Sequence, residues 1–197
     1  LHDALPISVF MLGPYANRVK GPDGIFDLEE IVSVAAWGNY ALALARAGSV
    51  YEWGHYYYYD AGGYTQYVSR PFPTRVDLGA GSPLANIVEI AAGEKFGMAL
   101  DRDGRVWAWG DNTFGQLGQG TSTPVWSQHA LQVKKSGGLL SDVVSISAGG
   151  IRCLALDALG RLWSWGNYSS LPNTFYTGNP GMGYVTGFSA GGDVMAM

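Results

Sequence analysis

Three stretches of this chain, 31–54, 87–110 and 143–166, align over 24 residues without a gap, each offset from the last by 56. Seven columns are identical in all three: Val32/Val88/Val144, Ala36/Ala92/Ala148, Ala43/Ala99/Ala155, Leu44/Leu100/Leu156, Gly48/Gly104/Gly160, Trp53/Trp109/Trp165 and Gly54/Gly110/Gly166. A repeat of this length constrains the fold more than any single motif, because each unit must bury its apolar face against the next. A fourth unit opens at Val185, only 42 residues after Val143, and is one residue short before Met195-Ala196-Met197.

Within a unit the pattern is that of β-structure. In the second, Val88 and Ile90 alternate with Glu89 and Ala91, the period-two signal of a strand. A second strand is expected over 96–100. Asp103-Gly104 then marks a hairpin, since glycine accepts the positive φ such turns demand. Residues 105–109 form the third strand, with Trp107 and Trp109 on one face and Val106 and Ala108 on the other. A fourth is expected near 130–133, and near 74–78 in the unit before it. Four antiparallel strands per repeat make one blade of a β-propeller. The fold class is therefore all-β, with three blades and the start of a fourth. The recurring small residues Ala91-Ala92-Gly93, Ser147-Ala148-Gly149 and Ser189-Ala190-Gly191 suit strands crowded near a propeller axis, and Trp53, Trp109 and Trp165 are read as core.

The second unit carries the most specific wording: Val-Glu-Ile-Ala-Ala-Gly (88–93), Met-Ala-Leu (98–100), Gly-Arg-Val-Trp-Ala-Trp-Gly (104–110) and Asp-Asn-Thr-Phe-Gly-Gln-Leu-Gly-Gln-Gly (111–120). These residues resemble the repeat of the regulator of chromosome condensation family almost column by column, and the resemblance spans about residues 17–197. It implies a ring of seven blades, of which this chain supplies under half. The first and third units depart from the pattern after Gly54 and Gly166, where the Gly-Gln-Leu-Gly run is missing, and Trp37 stands where a glycine is expected.

The expected division is 1–8 as a non-native or disordered tag, 9–30 as the end of a preceding blade or a linker, 31–86, 87–142 and 143–184 as repeats, and 185–197 as a truncated repeat. The first seven residues, Leu-His-Asp-Ala-Leu-Pro-Ile, resemble a translated sequencing-adapter read. The chain is accordingly expected to be a fragment, with a bacterial source.

Composition excludes several classes of function. Charged residues are 14%, the formal net charge is −4, and only four lysines occur. Gripping nucleic acid through its phosphates needs a basic face, and the densest positive spot, Lys134-Lys135, reads as a solvated turn. No apolar run reaches the roughly 20 residues of a spanning helix, so no membrane contact is expected, and the first residues lack a signal-peptide pattern. The compartment stays open.

Cys153 is the one cysteine, read as a buried small residue. His2, His55 and His129 are scattered, no His/Cys spacing suggests a metal, and neither Leu78-Gly79-Ala80-Gly81 nor 115–120 carries a phosphate-loop lysine. Asp101-Arg102-Asp103-Gly104 resembles the start of a calcium loop but lacks the later ligands. No catalytic residue, cofactor or metal is expected, and the chain is read as not an enzyme.

The segment His55-Tyr56-Tyr57-Tyr58-Tyr59-Asp60, continuing to Tyr64 and Tyr67, is the most unusual. It occupies the variable loop after Trp53-Gly54. Loops rich in tyrosine and glycine make good contact surfaces; alternatively, about half of these tyrosines turn inward to pack on the blade. Equivalent loops carry Asp111, Asn112, Phe114 and Gln116, and then Tyr168 and Tyr176. Together with Tyr56, Tyr57, Tyr58, Tyr59, Tyr64 and Tyr67 they are the candidate partner-binding residues, on one rim of the scaffold. The leading function is non-catalytic binding of another protein. The resemblance implies a second, guanine-nucleotide exchange on a small GTPase, although no insertion matches the family's nucleotide-displacing wedge. A third is carbohydrate binding through the tyrosine loop.

Overall fold

The computed structural model describes residues 10–11, 17–20, 28, 30–60, 62–167, 169–176, 189–191 and 194–196. The segment 1–8 lies outside them, as does most of the unit that begins at Val185. The ordered framework is three four-stranded antiparallel sheets in succession, each strand hydrogen-bonded to the next in sequence. A two-stranded pair, β1 (Phe10–Met11) and β2 (Asn17–Arg18), precedes them. The first sheet is β3 (Ile31–Trp37), β4 (Tyr40–Ala45), β5 (Val50–Tyr59) and β6 (Thr65–Arg75); the second is β7 (Ile87–Gly93), β8 (Phe96–Asp101), β9 (Val106–Asp111) and β10 (Trp126–Gln132). After a short hairpin of β11 (Lys134–Lys135) and β12 (Gly138–Leu139), the third sheet is β13 (Val143–Gly149), β14 (Arg152–Asp157), β15 (Leu162–Gly166) and β16 (Ser169–Tyr176). β17 (Ser189–Gly191) pairs with β18 (Val194–Ala196). Among the described residues there is no helix.

The sheets stack through their first strands: β7 lies against β3 and β4, and β13 against β7 and β8. Period-two alternation assigns each strand's two faces to two different seams. Trp107 and Trp109 of β9 face the first sheet, where Leu42, Leu44, Val50, Ile87, Ile90 and Ala99 pack with Trp109. Val106 and Ala108 face the third, with Phe96, Met98, Ile146, Cys153 and Trp165. The tryptophan columns thus fill the space between neighbouring blades. Cys153 is buried, and burial pushes its thiol well up.

The joint between units rests on backbone geometry repeated every 56 residues. Glu30, Asn86 and Asp142 all take positive φ (58°, 60° and 60°) just before the first strand of their sheets. The carbonyl of Gly104 in the β8–β9 hairpin accepts from Val143 N at 3.1 Å. A Cβ on Gly104 would meet the backbone of Asp142 and Val143 at 3.1 Å, so the close approach and the φ of +76° both call for glycine. That hairpin is tied by Asp101, whose carboxylate accepts from Asp103 N, Arg105 N, Arg105 Nε and Trp107 Nε1. Asp157 makes the same four contacts one unit later.

Three sequence expectations need correction. The tyrosine segment is not a loop: β5 runs straight through it to Tyr59 and pairs with β6 from Thr65 onward. Consequently the fourth strand of the first sheet is Thr65–Arg75 rather than 74–78; separately, that of the second begins at Trp126 rather than near 130. Lys134-Lys135 is likewise a short strand, with Lys135 Nζ 5.4 Å over the Trp163 ring.

Candidate binding rim

The three sheets expose the same end of each meander along one rim: the turns 38–39, 94–95 and 150–151, and the segments that follow Gly54, Gly110 and Gly166. What each segment does depends on how the neighbouring tryptophan is satisfied. In the second unit, the Gly-Gln-Leu-Gly run folds into the seam with the third sheet. Leu117 is buried in the core there, and the Gln116 carbonyl accepts the indole N–H of Trp165 at 2.8 Å and the Cys153 thiol at 3.3 Å.

The first unit has no such run, and the corresponding seam is closed by charge. Glu52 stands in the column of Ala108 and Ser164. Its Oε2 accepts from Trp109 Nε1 at 2.8 Å and from the Tyr40 hydroxyl at 2.6 Å, and its Oε1 pairs with the Arg70 guanidinium. Trp109 Nε1 also reaches the Tyr40 oxygen at 2.8 Å. Burial, with Tyr56 alongside, holds the Tyr40 phenol well above its usual range; Trp109 and Arg70 act the other way. Burial in turn lowers the Arg70 guanidinium.

Relieved of the seam, residues 55–69 project as a two-stranded ribbon. Its inner face is anchored: Tyr56 is 5% exposed, with its ring 5.1 Å from Trp126 and edge-on to Tyr40 at 5.6 Å. Tyr58 stacks on Trp126 at 4.5 Å and 21°. The outer face is open. Tyr57, Tyr59 and Tyr67 are 59%, 61% and 56% exposed; Tyr57 and Tyr67, register partners, hold their rings 4.8 Å apart. His55 stacks on Tyr67 at 6.4 Å, with Nδ1 3.3 Å from its hydroxyl. Exposed Tyr64 lies at the tip, where the Asp60 carboxylate accepts from Gly62 N, Tyr64 N and Gln66 Nε2. The Tyr64 backbone bond, chiefly, lowers the Asp60 pKa. A groove of about 360 Å³ runs between this ribbon and the turns of the first two sheets, walled by Trp37, Asn39, His55, Tyr57, Glu94 and Lys95.

The remaining candidates separate from this surface. Asp111, Asn112 and Gln116 are buried. Asp111 accepts from Thr113, Asn112 holds the carbonyls of Thr121 and Pro124 and the Leu117 N–H, and Gln116 accepts from Phe114 N. Their polar groups shape the loop from within, and Phe114 is half-buried. Tyr176 pairs with Leu162, at the opposite end of the third sheet from Gly166, so it does not share this rim. Tyr168 lies outside the described residues. Trp126 and the Glu52–Arg70 pair were not singled out in the sequence, and His55 and Trp37, though noticed there, were not placed among the binding candidates. A glutamate in an otherwise small-residue column was the available signal for the last.

Among the described residues, no group of three or more His, Cys, Asp or Glu could hold a metal ion. No helix there is long and apolar enough to cross a membrane.

Comparison with known proteins follows the repeat. The family described as "Regulator of chromosome condensation (RCC1) repeat" matches residues 87–116 and 103–156. The human E3 ubiquitin-protein ligase HERC2 is 32% identical over 144 residues, 70% of this chain and 3% of that protein. The mitochondrial RCC1 domain-containing protein RUG3 of Arabidopsis thaliana is 32% identical over 148 residues, 74% of this chain and 32% of that protein. This chain therefore spans a third or less of these curated relatives. Among solved structures, yeast RCC1 (Prp20), in a crystal with Kap60, superposes with a TM-score of 0.65 at 23% identity, covering 90% of this chain and 42% of that one. Human WBSCR16 gives 0.63 at 24%, covering 83% and 41%. These likenesses are of fold.

Proposed function

Because the chain belongs to the regulator of chromosome condensation (RCC1) repeat family, we propose that it is a non-catalytic protein-binding part of a β-propeller, using the aromatic ribbon 55–69 as its contact surface. The observation that carries this reading is the division of labour within the tyrosine run. Tyr56 and Tyr58 are fixed on Trp126 while Tyr57, Tyr59 and Tyr67 face outward. Aromatic side chains held rigidly on a scaffold lose little entropy on binding and supply large contact area, and contiguous exposed apolar surface marks an interaction site. Protein binding also accords with a structural relative: the yeast protein Prp20p was crystallised in work on its binding to Gsp1p and histones.

Photo-crosslinking from position 67 in an extract of the source tests the proposal. One protein, captured from position 67 and not from exposed Leu139, is the expected result. Capture of no protein, together with millimolar binding on a glycan array abolished by Tyr57→Ala, would replace it with carbohydrate recognition.

A further inference from the structure

We propose that the ribbon binds its partner by strand addition: an extended, proline-free segment bearing Lys or Arg at alternate positions pairs with the open edge of β5 at Tyr57 and Tyr59. This deepens the protein-binding reading and rests on it.

In an antiparallel ribbon, the N–H and C=O of successive residues point to opposite edges. Asp60 N donates to Tyr64 O at 2.9 Å, so Asp60, Tyr58 and Tyr56 address β6. His55 N donates to Asn39 O at 3.2 Å, so His55, Tyr57 and Tyr59 address the other edge. Strand β4 ends its pairing at Tyr40 opposite Gly54. Beyond that point, among the described residues, β5 has a strand on one side only, and the N–H and C=O of Tyr57 and Tyr59 face the side where β4 has stopped.

Open edges are templates for an incoming strand. On this one, the residues whose main-chain groups are free to pair are also those whose rings lie on the exposed face. An added strand would extend the ladder where β4 leaves off and lay alternate side chains beside Tyr57 and Tyr59. The groove of about 360 Å³ between β5 and the turns at Asn39 and Glu94 lies along its start. Pro71 and Pro73 sit on β6, and none occurs between Val50 and Tyr67, so the edge is unguarded where the tyrosines are.

Charge selects the occupant. Asp60, next after Tyr59, stands at the far end of the edge with its carboxylate bonded by the neutral donors Gly62 N, Tyr64 N and Gln66 Nε2. In the groove wall, Lys95 and Glu94 pair at 3.3 Å and offset each other, so no free cation there opposes a basic segment among the described residues. The exposed tyrosine rings present negative faces, which attract Lys and Arg, and the chain's net charge is −4.

The test is a phage-displayed peptide library panned on the full chain, followed by single N-methylation along the strongest binder. N-methylation removes one donor at a time. Binding weakened about tenfold or more at every second residue and unchanged at the others, in a basic proline-free peptide, is the expected result. A flat profile, proline-rich binders, no enrichment, or an edge occupied by a second copy of the chain in solution would overturn strand addition. One further double variant separates this from failure of the broader reading. If Tyr57→Ala with Tyr67→Ala abolishes binding while the profile is flat, the ribbon still binds protein by another mode. If that double variant binds as before, both readings fail.

Discussion

Trp109 donates its indole N–H to Glu52 at 2.8 Å across the seam between two sheets, while its counterpart Trp165 donates to a backbone carbonyl, that of Gln116, at the same distance. The two solutions explain why the segments after Gly54 and Gly110 differ. Where a Gly-Gln-Leu-Gly loop satisfies the tryptophan it must lie in the seam; where a carboxylate does so, the chain is free to extend outward. Replacing Glu52 by Ala leaves the half-buried Arg70 guanidinium without its carboxylate, and Trp109 and Tyr40 without their shared anionic acceptor. That change is expected to cost about 3–5 kcal/mol in urea denaturation, and the Glu52→Ala/Arg70→Ala double variant less than the single.

The two tyrosines of this seam differ in whether the hydroxyl is hydrogen-bonded. The Tyr40 hydroxyl is bonded to Glu52 and Trp109, whereas that of Tyr56 is buried without a partner among the described residues. Tyr40→Phe is expected to lose about 1–3 kcal/mol, and Tyr56→Phe to be neutral or stabilising. Thermal denaturation of the two variants side by side checks this.

Gly110 ends the third strand at φ +98°, and a Cβ there would collide with the Lys95 carbonyl and meet Phe96 Cα at 2.8 Å. Gly137 has a similar φ of +85° with open space around it. Gly137→Ala is expected to cost only the backbone term of about 1–2 kcal/mol, and Gly110→Ala clearly more. Equal losses in chemical denaturation would contradict the packing.

Acid should loosen the third sheet through Asp157. Burial pushes its carboxyl up, but the Trp163 indole, the Arg161 backbone and guanidinium, and the Leu159 N–H outweigh burial and hold it below the usual range. A folded-state pKa below the unfolded value of about 3.9 gives stability that is complete above about pH 4 and is lost as pH falls through the folded pKa. Urea midpoints measured from pH 7 to pH 2 should fall at the acid end, and less steeply for Asp157→Asn.

The architecture was legible because seven columns recur at a fixed spacing, and period two then assigns Trp107 and Trp109 to one seam and Val106 and Ala108 to the other. The site was only half legible. Alternation within Tyr56–Tyr59 did signal inward and outward faces, but reading the run as a loop hid the strand that carries it. Nothing local distinguishes a strand continuing beyond Gly54 from a loop beginning there, because the deciding contact is to Trp126, about 70 residues away. Asn112 and Gln116 were misplaced for the opposite reason. Polar residues in a glycine-rich stretch look exposed until their amides are seen bonded to their own loop.

The most direct test of the central claim is the affinity of the protein captured from position 67 for the wild-type chain and for the Tyr57→Ala/Tyr59→Ala/Tyr67→Ala variant, by titration calorimetry. These side chains are exposed, so the variant should unfold within about 0.5 kcal/mol of wild type and bind at least about a hundredfold more weakly, at roughly 1.4 kcal/mol per factor of ten. Unchanged affinity in a variant of unchanged stability would contradict the account and place the contact surface elsewhere on the propeller.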